Sequence, residues 1–387
     1  MHEHTMTGKT LSRLNFIDVA RSYAIVLALF SHAMIAFGGF TALGDDALKI
    51  KLFTRTATPL FVFMFGMMLE LVYARKAREN GLPSVVRRLV LRSAQCYLGY
   101  QLTVIAGVIG GHTTLSQATH AMFFMDSAVF GNILRLYSVA MLLAIPIIWI
   151  RCRTGPLSLV MMLFTIWLGD TILDQYSGVS LGRLDALAGI LLGTGSTLDG
   201  PSVWHGMTFV FAGMLVAASL HNWKQAGLKQ FNYTLLAMAA VCMAIVAWLA
   251  ADVSLSGVIR RFANYQYRSH NHIGYYAVGL IACAATLFVL SRIIPLHSKM
   301  PGWTRVPLSF SRSSLLSYSL GNIILSLLPA SMASQNVSGA IFASLLFLAV
   351  LLLLVSSRQL EAGYRWASLV RFEPGAGRIL LRMPGGG

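Results

Sequence analysis

The sequence predicts an all-α fold: a polytopic transmembrane helical bundle of about ten spans, with both termini on the cytoplasmic side. Composition is the first ground. Of 387 residues, 56% are hydrophobic and only 11% charged, against about 25% charged in an ordinary soluble domain. Hydropathy is the second. The mean is +0.67, and apolar runs of roughly 18 or more residues recur, each able to cross about 30 Å of hydrocarbon. Together these exclude a soluble enzyme, a nucleic-acid-binding domain and a disordered chain. The third ground is where the positive charge falls, and it needs the spans in place first.

Taken in order, the predicted spans are 16–38, 56–74, 89–109, 131–150, 157–173, 203–220, 233–251, 273–290, 313–330 and 339–357. With the N-terminus inside, 22 of the 30 Lys and Arg fall on the cytoplasmic side. The positive-inside rule then orients the bundle with both ends in. The net charge of +16 is therefore a topology signal, and no nucleic-acid partner is expected. The first span reads as a retained signal anchor, because its apolar run is long and no small-residue cleavage site follows it. Residues 1–357 form a single transmembrane unit, and 358–387 a basic cytoplasmic tail expected to lie along anionic lipid headgroups, as is the inner connection 291–312. On the outer side, 174–202 is too short and too interrupted by Gly to span and reads as a re-entrant or interfacial half-helix. Cys96, Cys152, Cys242 and Cys283 show no metal or disulfide spacing. His270 and His272 are two histidines at i,i+2 in a loop, which does not make a metal site, and no metal is expected.

Ionisable groups inside spans are costly, so each is a functional candidate. In the first span, Asp18 and Arg21 stand at i,i+3 and His32 lies eleven residues beyond Arg21. At 100° per residue all three share one face, with Asp18 and His32 about 21 Å apart along the axis. That face suits the lining of a passage with an imidazole deep inside. An interfacial ion pair plus a packing histidine fits the spacing equally well. Arg88 and Arg92 open the third span one turn apart. Loop bias does not explain Arg92, a turn inside the membrane, whereas guanidinium forks at a cytoplasmic mouth suit a phosphate-bearing cofactor. Arg135 and Tyr137 in the fourth span, Asp170 near the end of the fifth and His205 at the start of the sixth are further candidates for substrate contact or for structural pairing.

These residues carry a family resemblance. RLNFIDVARSYAIVLALFSHA, TPLFVFMFGMMLELVYAR and the arginines of RRLVLR resemble, in order and character, the opening helices of membrane-bound O-acyltransferases of the acyltransferase-3 superfamily. NILRLYSVAMLLAIP and WHGMTFVFAGMLV are similar to its OpgC branch, the periplasmic glucan succinyltransferases. The pattern departs at Ser22, where Gly is common, and at Phe65, where Ser is usual. The resemblance implies a bacterial inner-membrane enzyme moving a succinyl or acetyl group from cytoplasmic acyl-CoA (succinyl-CoA or acetyl-CoA) to a hydroxyl of an extracytoplasmic carbohydrate. It implies His32 as general base or covalent carrier and Asp18, Arg21, Arg88 and Arg92 as the cofactor-binding set. Arg135, Tyr137, Asp170 and His205 would lie toward the acceptor, with Tyr265, Tyr267 and Arg268 of 252–272 offered to a glycan. The competing reading is a secondary transporter of a small anionic or sugar-like solute, which the ten spans and buried charges support. Against it, no paired broken helices appear in two halves. Partners on the enzyme reading are membrane lipids, acyl-CoA and the acceptor. The oligomeric state, homo-oligomer included, is left open.

Overall fold

Each of the ten predicted spans becomes a helix. The computed structural model describes residues 14–126, 128–173, 182, 185–194, 201–220, 225–294, 308–332, 336–357, 370–372 and 379–381. The span helices are α1 Asn15–Ala36, α2 Ala57–Met68, α3 Pro83–Ile109, α4 Asn132–Thr154, α5 Leu157–Leu173, α6 Val203–Ala218, α7 Gln225–Val253, α8 Ile273–Ile293, α9 Ser314–Leu327 and α10 Val337–Ser356. Among the described residues, six helices are long and apolar enough to cross a membrane, and α5, α6 and α9 are shorter apolar helices. The half-helix expected in 174–202 is present as Asp185–Leu192, although Asp174, Arg183 and Asp199 lie outside the described residues. Most of 291–312 and of the tail lies outside them too. Within the tail, Val370–Phe372 and Ile379–Leu381 pair as two short antiparallel strands.

Local chemistry sets the helix ends. Pro83 occupies the first turn of α3, where its missing N–H costs nothing. Ser202 caps α6 by accepting from the His205 N–H at 3.3 Å, and Asn336 caps α10 by accepting from the Ser338 N–H. α2 does not stop at Met68. It widens into a π-helical segment, Leu69–Ala74, and continues as Arg75–Asn80. Such wide turns concentrate at functional sites, and here the turn carries a buried carboxylate, Glu70.

Packing inside lipid depends on close approach rather than on hydrophobic drive, so small residues mark the tightest crossing. A Cβ on Gly66 would stand 2.0 Å from the Val210 carbonyl oxygen, and one on Gly213 would stand 2.2 Å from that of Phe63. α2 and α6 therefore meet backbone to backbone. α1 is central and packs against α2, α8, α9 and α10, which is why a polar face on it is enclosed by protein rather than lipid.

Candidate functional site

A cavity of about 310 Å³ opens among α1, α2, α3, α4 and α9, at the small end of the range for small-molecule sites. One end holds Arg21, Arg92, Arg312 and Tyr73, and the deep end is walled by Phe61, Tyr137 and Tyr318. Helix direction explains the polarity. Arg21, Arg92 and Ser314 all sit in the first part of their helices, so α1, α3 and α9 bring their polar starts to one mouth. Arg21 donates from Nη2 to Ser314 Oγ at 2.8 Å, and Arg92 donates to Gln95 at 3.2 Å. Three guanidinium groups gather at the mouth of a chamber walled further in mainly by aromatic and apolar side chains.

His32 lies just beyond the deep end. It is not in the cavity wall; Tyr318 is, and its ring centroid stands 6.0 Å from that of His32. Phe61 stacks on Tyr318 at 5.7 Å, and Phe130 packs against the imidazole at 5.1 Å. His32 Nδ1 meets Asn322 Oδ1 at 2.8 Å. An amide oxygen only accepts, so Nδ1 carries the hydrogen and donates. Nε2 is then the basic nitrogen of the neutral ring, and among the described residues it makes no hydrogen bond. Asn322 is fully buried, so the tautomer is held by a group shielded from water. A histidine with one nitrogen fixed by an orienting partner and the other open is the arrangement general-base chemistry requires.

The structure separates the other predicted residues into distinct places. Asp18 is buried, but it is not part of the cavity wall. Arg88 is exposed on α3 and does not join Arg92 at the cavity. Tyr137 is in the wall, with its hydroxyl spent on the Phe61 carbonyl at 2.8 Å. Arg135 is buried, donates to the Asp126 carbonyl at 2.8 Å, and borders a second, water-sized cavity of about 20 Å³ together with Arg268. Asp170 and His205 do meet: Nε2 of the ring contacts Asp170 Oδ1 at 2.7 Å, and Nδ1 contacts Ser202 Oγ at 2.8 Å. Asn271 extends this buried chain by accepting from the Ser202 N–H and the Tyr276 hydroxyl. Ser202 and His205 are almost wholly covered, so the chain ties α5, α6 and α8 together. His270 and His272 are occupied locally: His270 Nδ1 bonds the Gln266 carbonyl, and His272 Nδ1 accepts from the Gly274 N–H to cap α8. Burial lowers the proton affinity of His272, and Arg261 and His270 add to the effect, which suits an imidazole used as a neutral acceptor.

Sequence reasoning missed Asn322, Tyr318, Arg312 and the Glu70–Arg151 pair. Asn322 had a signal, because an amide in the middle of an apolar span demands an internal partner. Arg151 reads as a loop cation, yet it is buried and grips Glu70 with two bonds of 3.0 and 2.8 Å, while Arg78 adds a third at 3.2 Å.

Residues 13–185 match the family model described as heparan-alpha-glucosaminide N-acetyltransferase, catalytic. The chain resembles a membrane acyltransferase. The matched stretch runs from α1 to the Asp185–Leu192 half-helix and carries His32, Arg21, Arg92, Arg135, Tyr137 and Asp170. Asn322, Tyr318, Arg312 and His205 fall beyond it. Comparison with curated proteins gives no match. The match and the apolar helices support a multi-pass membrane protein of acyltransferase type, and nothing in them selects the glucan-succinylating branch.

Proposed function

We propose that this chain is an acyl-CoA-dependent acyltransferase of the bacterial inner membrane, taking a short acyl group, succinyl or acetyl, from cytoplasmic acyl-CoA and delivering it to a hydroxyl of an extracytoplasmic glycan. The observation that carries this reading is the alignment of an arginine-rimmed cavity with a histidine whose tautomer is fixed just past the cavity's closed end. Arg21, Arg92 and Arg312 would hold the nucleotide phosphates at the cytoplasmic mouth. The thioester arm would occupy the apolar chamber, and Tyr318 would turn aside to let the acyl carbon approach His32. His32 Nε2 would take the acceptor proton as the acceptor oxygen bonds to the thioester carbonyl carbon. Collapse of the tetrahedral adduct breaks the C–S bond, and the departing thiolate recovers the proton from the imidazolium. Proton and electron pairs balance without a further reactant.

A second reading concerns only the acceptor atom. The matched family is named for N-acetyl transfer to a glucosaminide, which favours an amino sugar, and the same base would serve an amine.

The test is direct. Purified protein should bind CoA saturably, and His32→Ala should abolish transfer from radiolabelled succinyl-CoA or acetyl-CoA while leaving CoA binding near wild type. Wild-type protein that is folded yet binds no CoA would sink the reading. Counterflow of a sugar or anion in liposomes by such protein would point instead to transport.

A further inference from the structure

Arg55 closes the short helix Ala47–Arg55 on the side of the bundle toward His32. By sequence it is one more outer-loop cation. The structure leaves it only 7% exposed. Its guanidinium donates from Nη1 to Ser31 Oγ at 3.0 Å and to the Tyr265 hydroxyl. It lies over the Tyr265 ring at 3.7 Å and the Phe40 ring at 5.3 Å. Every one of these partners is neutral. Among the described residues no carboxylate is within ion-pair distance of Arg55, and its buried Nε makes no hydrogen bond. Arginine cannot shed its proton to escape the cost, so a covered guanidinium without a counter-charge calls for an anion.

Three further observations place that anion. Arg268 lies over the same Tyr265 ring at 4.4 Å, so two cations converge on one aromatic face group. Tyr265 is held at φ +63°, a left-handed backbone that a tyrosine rarely adopts and that surrounding structure must impose. Ser31, the hydroxyl that Arg55 grips, immediately precedes His32 on α1.

We propose that Arg55, with Arg268 beside it, forms an anion-recognition site next to His32 that takes a carboxylate carried by one of the substrates. The role assigned to His32 above is what makes this a substrate site. The carboxylate has two sources, the far end of a dicarboxylic acyl chain or an acidic sugar in the acceptor. Either way the site fixes the substrate's orientation relative to Nε2 and rejects neutral analogues.

Thermal unfolding of the full chain in detergent tests this without any transfer reaction. The probes are succinate against succinamide and glucuronate against glucose, applied to wild type, Arg55→Lys, Arg55→Gln and Arg92→Ala. Wild type should be stabilised by one carboxylate and not by its neutral partner, with succinate naming the acyl chain and glucuronate the acceptor. Arg55→Gln should lose about tenfold or more in apparent affinity, the scale of a charge-assisted hydrogen bond. Arg55→Lys, which keeps the charge and loses the fork, should weaken the response several-fold. Arg92→Ala should keep it, because the mouth is a separate site. Wild type that fails to separate either carboxylate from its neutral partner overturns the proposal. So does a full response in Arg55→Gln or, if that variant does not fold, in Arg55→Lys. Loss of the response in Arg92→Ala overturns it as well. Failure of the donor reading shows up elsewhere, as absent CoA binding.

Discussion

Asn322→Leu is the sharpest perturbation of the proposed reaction centre. The substitution removes the acceptor 2.8 Å from His32 Nδ1 and replaces a wholly buried amide with an apolar group of similar bulk. Two consequences follow. The Nδ1–H loses its partner in a covered setting, which costs about 1–3 kcal/mol, and the alternative tautomer, with its hydrogen on Nε2, becomes competitive. A base in the wrong tautomer cannot accept the acceptor's proton. At 1.36 kcal/mol per decade, the loss corresponds to about a 5- to 150-fold fall in transfer rate. Asn322 acts through His32, so the fall should appear in kcat while KM for acyl-CoA, and CoA affinity by calorimetry, stay within about twofold. Asn322→Gln, which keeps an amide oxygen, should recover part of the rate. A leucine variant with wild-type kcat would refute the tautomer argument. A variant losing CoA affinity in step with rate would show that Asn322 shapes the cavity instead.

Three other outcomes are expected. Arg312→Ala should weaken CoA binding about tenfold and dephospho-CoA binding less, because the residue sits on the cavity rim; equal losses for the two ligands would remove it from phosphate recognition. Glu70→Gln should lower the thermal midpoint sharply, since it leaves Arg151 buried without its counter-charge, a change worth about 3–5 kcal/mol; an unchanged midpoint would mean that water solvates the pair. His272 has its proton affinity lowered by burial, so the unfolded chain takes up the proton first as pH falls. The cap it gives α8 is therefore fully present above the ordinary histidine value of about 6.5 and is lost as pH drops through the lowered folded value. His272→Asn should flatten that part of the stability profile, as measured by unfolding between about pH 7 and pH 5.

The architecture was legible because lipid leaves the backbone so few choices. Every buried N–H and C=O must bond within its own segment, so length and hydropathy alone located the ten span helices but not shorter ones such as Ala47–Arg55 and Leu255–Ala263. The site was half legible. Arg21, Arg92 and Tyr137 were found as polar groups in apolar spans, and they do converge on one cavity. Arg88 was paired with Arg92 by a one-turn spacing, but four residues on α3 advance the helix by about 40°, enough to leave Arg88 exposed. Tyr318 carried no signal and Asn322 only that of an amide in an apolar span, for a different reason: their meaning comes from α9 lying against α1, a contact across 290 residues that no local spacing encodes. Arg55 and Arg151 were assigned to loops by their position at helix ends, which carries no information on whether a neighbouring segment folds over them.

That cover bears on how the chemistry would be kept under control. An acyl thioester poised in a membrane is open to hydrolysis, and a base with free access to water would spend it. His32 lies behind Tyr318 and Phe61 on the cavity side and against Phe130 as well, so aromatic rings flank the base while Asn322 bonds its Nδ1. On the proposed reading, the donor reaches the base only by displacing Tyr318. The acceptor's anion, or the acyl chain's own, would seat at Arg55, which has no carboxylate within ion-pair distance among the described residues. Requiring both events before Nε2 can act confines transfer to the intended pair of substrates, because each step draws on binding energy that water cannot supply.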